Sequence, residues 1–167
     1  IYGGSFDPFH LGHLEVIRYI LSEKNESQLI VVPAYQSPLK GKSLFTADQR
    51  IALLKDAIKD IGRCLISEHE VQVKAPVFTW DTVQYIRTNF NTQQIGLVMG
   101  GDQFIQLKKW KYHEELLDNV QLLIIPRDDQ SLTEYSNYAS KHLPQPRYPF
   151  NFINISYSLS YKNSILI

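Results

Sequence analysis

Short runs rich in apolar and β-branched residues recur along this 167-residue chain, and most are followed by a longer segment whose apolar residues return every three or four positions. Strand followed by helix is the element order such a rhythm encodes. Ile1-Tyr2 ends a first strand; 29 to 33 (LIVVP), 63 to 71 (RCLISEHEV), 95 to 102 (IGLVMGGD), 120 to 127 (VQLLIIPR) and 152 to 156 (FINIS) read as five more. Helices are expected over 12 to 24, 47 to 61 and 79 to 89, with a pair around 102 to 118. In the second, Ile51, Leu54, Ile58 and Ile61 form one stripe while Lys55, Asp56 and Lys59 face away, as a helix covering a sheet requires. The expected fold class is therefore α/β, a doubly wound parallel sheet with helices on both faces. Ligands of such sheets bind beyond the carboxyl ends of the strands. Residues 128 to 150 are polar and then Pro-rich, which reads as a surface excursion or a short helix followed by a loop.

Length bounds the organisation to one domain over 1–167. Seventeen Lys and Arg balance seventeen Asp and Glu, so no global basic field points to nucleic acid, and any anion site must be built locally. The single cysteine, Cys64, excludes an intrachain disulfide and a multi-cysteine zinc cluster; within Cys64-Leu65-Ile66 it reads as a buried, inert thiol. No apolar run approaches a membrane span and no signal peptide is evident, so a cytoplasmic protein is expected. The sequence opens at Ile1-Tyr2 without methionine, and the first strand is expected to be clipped.

Chemistry concentrates in GGSFDPFHLGH, residues 3 to 13. Glycines between a strand and a helix permit positive φ and let a bulky ligand approach the backbone. The helix that follows presents unpaired N–H groups and a positive dipole end. His10 and His13 are three residues apart, so both rings project from one side of a helix that has begun by His10. Three readings stand open: a turn with a capping or core histidine; a zinc site using Asp7, His10 and His13; and a phosphate cradle in which the imidazoles donate to phosphoryl oxygens. The glycine turn and the paired histidines together favour the last. Neither GxxxxGK[ST] nor GxGxxG occurs, which removes two common nucleotide-binding classes.

The same stretch resembles the signature of the (H/T)xGH nucleotidyltransferases, with His10-Leu11-Gly12-His13 as the motif, and is closer to nicotinate mononucleotide adenylyltransferases than to phosphopantetheine adenylyltransferases. Other segments resemble that family in order: PAYQSPLK (33 to 40), with Leu39 in place of its usual His and Lys40 retained; RIALLKDAI (50 to 58); PVFTWDTV (76 to 83); MGGDQFIQLKKW (99 to 110); and IIPR (124 to 127). The tail departs. ISYSLSY (155 to 161) places Tyr161 where the family's closing motif has Arg, and the chain ends at Ile167, so residues are expected to be missing there.

The resemblance implies a Rossmann-like nucleotidyltransferase fold and adenylyl transfer from ATP to nicotinate mononucleotide, giving deamido-NAD and pyrophosphate. Another phosphate acceptor and a non-catalytic nucleotide-binding relative are the alternatives. It assigns catalysis to His10, His13 and Lys40. It assigns ATP binding to Gly3, Gly4, Ser5, Phe6, Gly100, Asp102, Ser156 and Ser158, with Asp102 on the adenosine ribose. Thr79, Trp110, Lys111 and Arg127 fall to nicotinate mononucleotide, the pyridinium ring lying against Trp110 or, as second candidate, Trp80. Mg²⁺ would arrive with ATP, and a homo-oligomer is possible.

Overall fold

A computed structural model describes residues 1–23, 28–35, 43–126, 132–153 and 155. Strand and helix alternate as the apolar rhythm predicts: β1 (Tyr2–Gly4), α1 (Leu11–Glu23), β2 (Leu29–Pro33), α2 (Ala47–Ile58), β3 (Cys64–Ile66), α3 (His69–Val73), α4 (Thr79–Asn89), β4 (Gly96–Gly100), α5 (Gly101–Phe104), α6 (His113–Asn119), β5 (Gln121–Ile125), α7 (Leu132–His142) and β6 (Asn151–Phe152). A 3-10 turn, Leu107–Lys109, lies between α5 and α6. The strands are ordered β3-β2-β1-β4-β5-β6, the doubly wound order of a Rossmann-like sheet. Contacts divide the chain into two compact units, residues 2–77 and residues 78–153 with Ile1.

In the first unit β2 is buried along its whole length, as a strand covered on both faces must be. It pairs in parallel with β1, Gly4 lying opposite Pro33, and with β3. Both chain segments that leave β1 and β2 therefore emerge at the same end, where the Ala34 N–H donates to Gly4 O at 2.9 Å. Helix α1 buries Leu14, Val16, Ile17, Ile20 and Leu21. Ile17 and Leu54 are fully buried, each worth about 1.5–3 kcal/mol over an exposed position. Helix α2 starts on a capping box: the Gln49 N–H donates to Thr46 Oγ1 and the Thr46 N–H to Gln49 Oε1, satisfying two donors that a helix start otherwise orphans. It ends at Ile58, so Ile61 lies beyond it.

The second unit pairs β4 with β5 over five register positions and β5 with β6, all in parallel. Ile1 joins its ladder, accepting from the Val98 N–H at 2.8 Å and donating to Gly96 O at 2.6 Å. Phe104 is the hub of an aromatic cluster with Tyr135, Tyr138, Phe150 and Phe152, ring centroids 5.1–6.1 Å away. This cluster anchors α7 and the Pro-rich segment after it, so the stretch read as a helix followed by a loop is packed through Tyr135 rather than floating.

Further details differ from the sequence expectation: the fourth strand ends at Gly100, Gly101 and Asp102 already belonging to α5, and the sixth spans Asn151–Phe152. The third strand stops at Ile66 and residues 69–73 turn helical; beyond Ile66 the run is Ser-Glu-His-Glu, which lacks the β-branched and apolar residues that extend a strand. The fifth strand stops before Pro126, which has no N–H to give a ladder. Cys64 is half-buried rather than buried, yet burial still pushes its thiol up to about 11, so the inert character holds. Among the described residues no helix is long and apolar enough to cross a membrane.

Candidate functional site

The turn after β1 works differently from the glycine hinge expected of it. Among the described residues no glycine has positive φ; Phe6 does, at 45°. Gly4 is required for space: a Cβ there would lie 3.1 Å from Phe6 Cζ, and the Phe6 ring, 1% exposed, folds back across that position. Phe6 then meets Tyr2 edge-on at 5.4 Å and His13 edge-on at 5.0 Å. Phe9 stacks on His13 at 5.4 Å, and His10 stacks on it at 3.6 Å and 25°. The His13 ring is thus boxed by two phenyl groups and a second imidazole.

The first turn of α1 orients both histidines. The His10 N–H donates to His13 Nδ1 at 3.3 Å and the His13 N–H to His10 Nδ1 at 3.4 Å. Because each Nδ1 accepts, the neutral rings carry their proton on Nε2. Capping and phosphate binding are therefore compatible: Nδ1 serves the helix start, and the N–H of each neutral ring is on Nε2. Gly12 belongs to the same device, since a Cβ there would lie 3.1 Å from His10 Cε1 and Nδ1. The glycine of HLGH makes room for the ring that precedes it.

Asp7 is engaged as a tether, accepting from the Leu44 and Phe45 N–H groups at 2.9 Å each, which leads the chain into the α2 cap. Among the described residues no three His, Cys, Asp or Glu side chains gather as metal ligands.

Arg50 opens the segment RIALLKDAI, and the structure gives it a role. It is 2% exposed, and its guanidinium donates to Ser5 O at 2.5 Å, Ala34 O at 2.9 Å and Tyr35 O at 3.0 Å. One side chain thereby clasps the GGSF turn to the segment leaving β2. Desolvation lowers its pKa and the nearby Asp7 charge raises it, the first being larger. The signal was legible: Arg50 occupies the Leu54 and Ile58 side of α2, a charge on an apolar stripe.

In the second unit Gly100 is the N-cap of α5, and Asp102 lies in that helix's first turn. Asp102 Oδ2 accepts from Gln103 Nε2 at 3.0 Å, and its carbonyl from Gln106 Nε2 at 3.1 Å. Gly101 permits the approach of Tyr135, whose ring occupies the space a Cβ would need. Thr79 opens α4, behind the extended N-cap Phe78. Trp80 and Trp110 are each half-buried. Trp110 ends the 3-10 turn in extended conformation, its carbonyl 3.2 Å from His113 Nδ1. Lys111 reaches back to α4, with Nζ 4.5 Å from the Phe78 ring centroid and 4.8 Å from that of Tyr112. Neither Phe78 nor Tyr112 stands out in the sequence, because their rings meet Lys111 only in the fold. Lys40, Arg127, Ser156, Ser158 and Tyr161 lie outside the described residues.

A doubly wound parallel sheet whose first strand runs through a glycine turn into an HxGH helix start defines a nucleotidyltransferase of Rossmann-like fold. The chain belongs to the cytidylyltransferase-like family, whose model matches residues 1–154. A relative from Aquifex aeolicus, described as a "Probable nicotinate-nucleotide adenylyltransferase", is 31% identical over 147 residues, 88% of this chain and 87% of that one. One from Helicobacter pylori with the same description is 37% identical over 127 residues, 76% and 73% of the two chains. The fold is shared with the nicotinic acid mononucleotide adenylyltransferase of Plasmodium falciparum complexed with NaAD, at a TM-score of 0.75 and 18% identity, covering 96% of this chain and 76% of that one.

Proposed function

We propose that the protein transfers the adenylyl group of ATP to nicotinate mononucleotide, forming deamido-NAD and releasing pyrophosphate in NAD biosynthesis. A phosphate oxygen of the acceptor attacks the α-phosphorus; the bond to the bridging oxygen breaks, and pyrophosphate leaves with that electron pair. The nucleophile is already an anion and the leaving group is good, so positioning and charge stabilisation are what a protein must add. The observation that carries this reading is the boxed His10–His13 pair, two stacked imidazoles with Nδ1 capping a helix start behind a tight turn.

In this reading His13 donates to the phosphoryl oxygens as charge builds on them, with His10 beside it and Lys40 adding a cation. Gly3, Gly4, Ser5 and Phe6 offer backbone to the phosphates, Gly100 and Asp102 meet the adenosine, and Ser156 and Ser158 close on the phosphates. Thr79, Trp110, Lys111 and Arg127 take the acceptor, whose pyridinium ring suits an indole face. Mg²⁺ comes as part of the ATP substrate, held by phosphate oxygens and water. The reading places the enzyme in the cytoplasm.

The test is pyrophosphate release with ATP and, in parallel, nicotinate mononucleotide, nicotinamide mononucleotide and phosphopantetheine. Preference for the first is expected, and His13→Ala is expected to lower turnover about 10²–10³-fold with little change in ATP affinity. Preference for phosphopantetheine refutes the acceptor assignment. ATP binding without pyrophosphate release refutes catalysis.

A further inference from the structure

We propose that the Lys111 side chain is a specificity determinant, the positive charge that favours an acceptor bearing a ring carboxylate over one bearing a carboxamide. The inference deepens the acceptor reading above and rests on it. Nicotinate and nicotinamide mononucleotides are nearly the same shape and differ by one negative charge, so discrimination between them calls for a cation or oriented dipoles near the ring substituent. Paired backbone N–H groups already favour a carboxylate through charge-assisted bonds, and a nearby cation adds to that preference.

Three observations place such a cation. Lys111 directly follows Trp110, the candidate partner of the pyridinium ring. Its Nζ lies 4.5 Å from the Phe78 ring centroid, and Phe78 directly precedes Thr79, another residue that the resemblance gives to the acceptor. The charge therefore bridges the two segments assigned to the acceptor. Tyr112 then closes the cage: its ring is 4.8 Å from the same Nζ and edge-on to Phe78 at 6.1 Å. Tyr112 adopts a left-handed conformation, φ 64°, unusual for a residue with a bulky side chain, and this turns the chain into α6.

An exposed lysine ordinarily samples many rotamers and offers a diffuse charge. Lys111 is exposed as well, but two aromatic faces, Phe78 itself 44% exposed, lie within reach of its ammonium and narrow the positions from which its charge acts. The neighbours Lys108 and Lys109 lie on the 3-10 turn and are exposed, and the described contacts place neither ammonium over a ring.

The experiment measures kcat/KM with nicotinate and with nicotinamide mononucleotide for the wild type, Lys111→Met, Lys111→Arg and Lys109→Met. Lys111→Met keeps most of the side chain's length and removes the charge; the acid-to-amide ratio is expected to fall about three- to tenfold, the size of one partly screened charge, with KM for ATP unchanged. Lys111→Arg, which keeps charge and ring stacking, restores the ratio to within about twofold, and Lys109→Met leaves it unchanged. A purely structural role for Lys111 would lower both substrates together. An unchanged ratio in Lys111→Met, or an equal fall from Lys109→Met, overturns the inference. Absence of any turnover of nicotinate mononucleotide by the wild type overturns the acceptor assignment itself, and this inference with it.

Discussion

Replacing Arg50 by methionine tests whether the clasp between the GGSF turn and the segment after β2 supports both the fold and the site. Three carbonyl oxygens, those of Ser5, Ala34 and Tyr35, would lose their guanidinium donors, at roughly 1–3 kcal/mol for each buried group left unsatisfied. Against that loss, the variant no longer desolvates a cation at 2% exposure, a relief of several kcal/mol. With about 3–9 kcal/mol lost in all and about 3 relieved, the middle of the range is a destabilisation of about 3 kcal/mol, which at a urea m-value of about 2 kcal/mol/M lowers the midpoint by about 1.5 M. Arg50→Lys should fall between, since a compact ammonium keeps the charge but lacks the planar fork that reaches three acceptors. In the folded fraction of the lysine variant, a displaced Ser5 backbone should lower kcat/KM for ATP by up to about 10²-fold, with KM for the acceptor little changed. A methionine variant within about 0.5 kcal/mol of wild type, or a lysine variant with normal ATP kinetics, would refute the clasp.

Gly12→Ala separates stability from activity: alanine favours the helix by about 1 kcal/mol, while its Cβ, 3.1 Å from the His10 ring, displaces that imidazole, so the melting temperature should hold or rise as turnover drops about tenfold. Gly101→Ala should destabilise by about 1–3 kcal/mol or more, because the new methyl enters the space of the fully buried Tyr135 ring; adding Tyr135→Phe should recover part of the loss, as judged by chemical denaturation. Cys64, with its thiol pushed from 9.0 to about 11 by burial, should label slowly at pH 8 in the native protein and rapidly in urea. Its folded pKa exceeds the unfolded one, so the associated stability is complete below about pH 9 and lost as pH rises through about 11. Cys64→Ala should therefore flatten the alkaline decline measured by denaturation between those limits.

The element order of this protein was legible in its sequence because burial on one helix face or on both faces of a strand imposes a period that survives without coordinates. Thus β2 and α4 match the expected bounds, and α1 starts one residue early. The (H/T)xGH resemblance and the ordered segments after it were likewise local patterns. Legibility failed where a residue's partner lies far along the chain or its conformation answers to packing. Glycines suggested positive φ, whereas the φ of 45° fell to Phe6 because its ring is driven under Gly4. The polar run after Ile66 was expected to continue a strand and turned helical instead.

The sequence alone determined the alternation, the fold class and the presence of two imidazoles one helical turn apart, all consequences of spacing along a single chain. The local conformation after β1, which spacing does not specify, decided what those imidazoles are. Stacking at 3.6 Å inside the Phe6–Phe9 box, with both Nδ1 atoms on backbone amides, chooses their tautomer. Tertiary structure decided that Arg50 is a clasp and Lys111 a caged charge, since a cation's role depends on which carbonyls and rings surround it, and only folding brings those together.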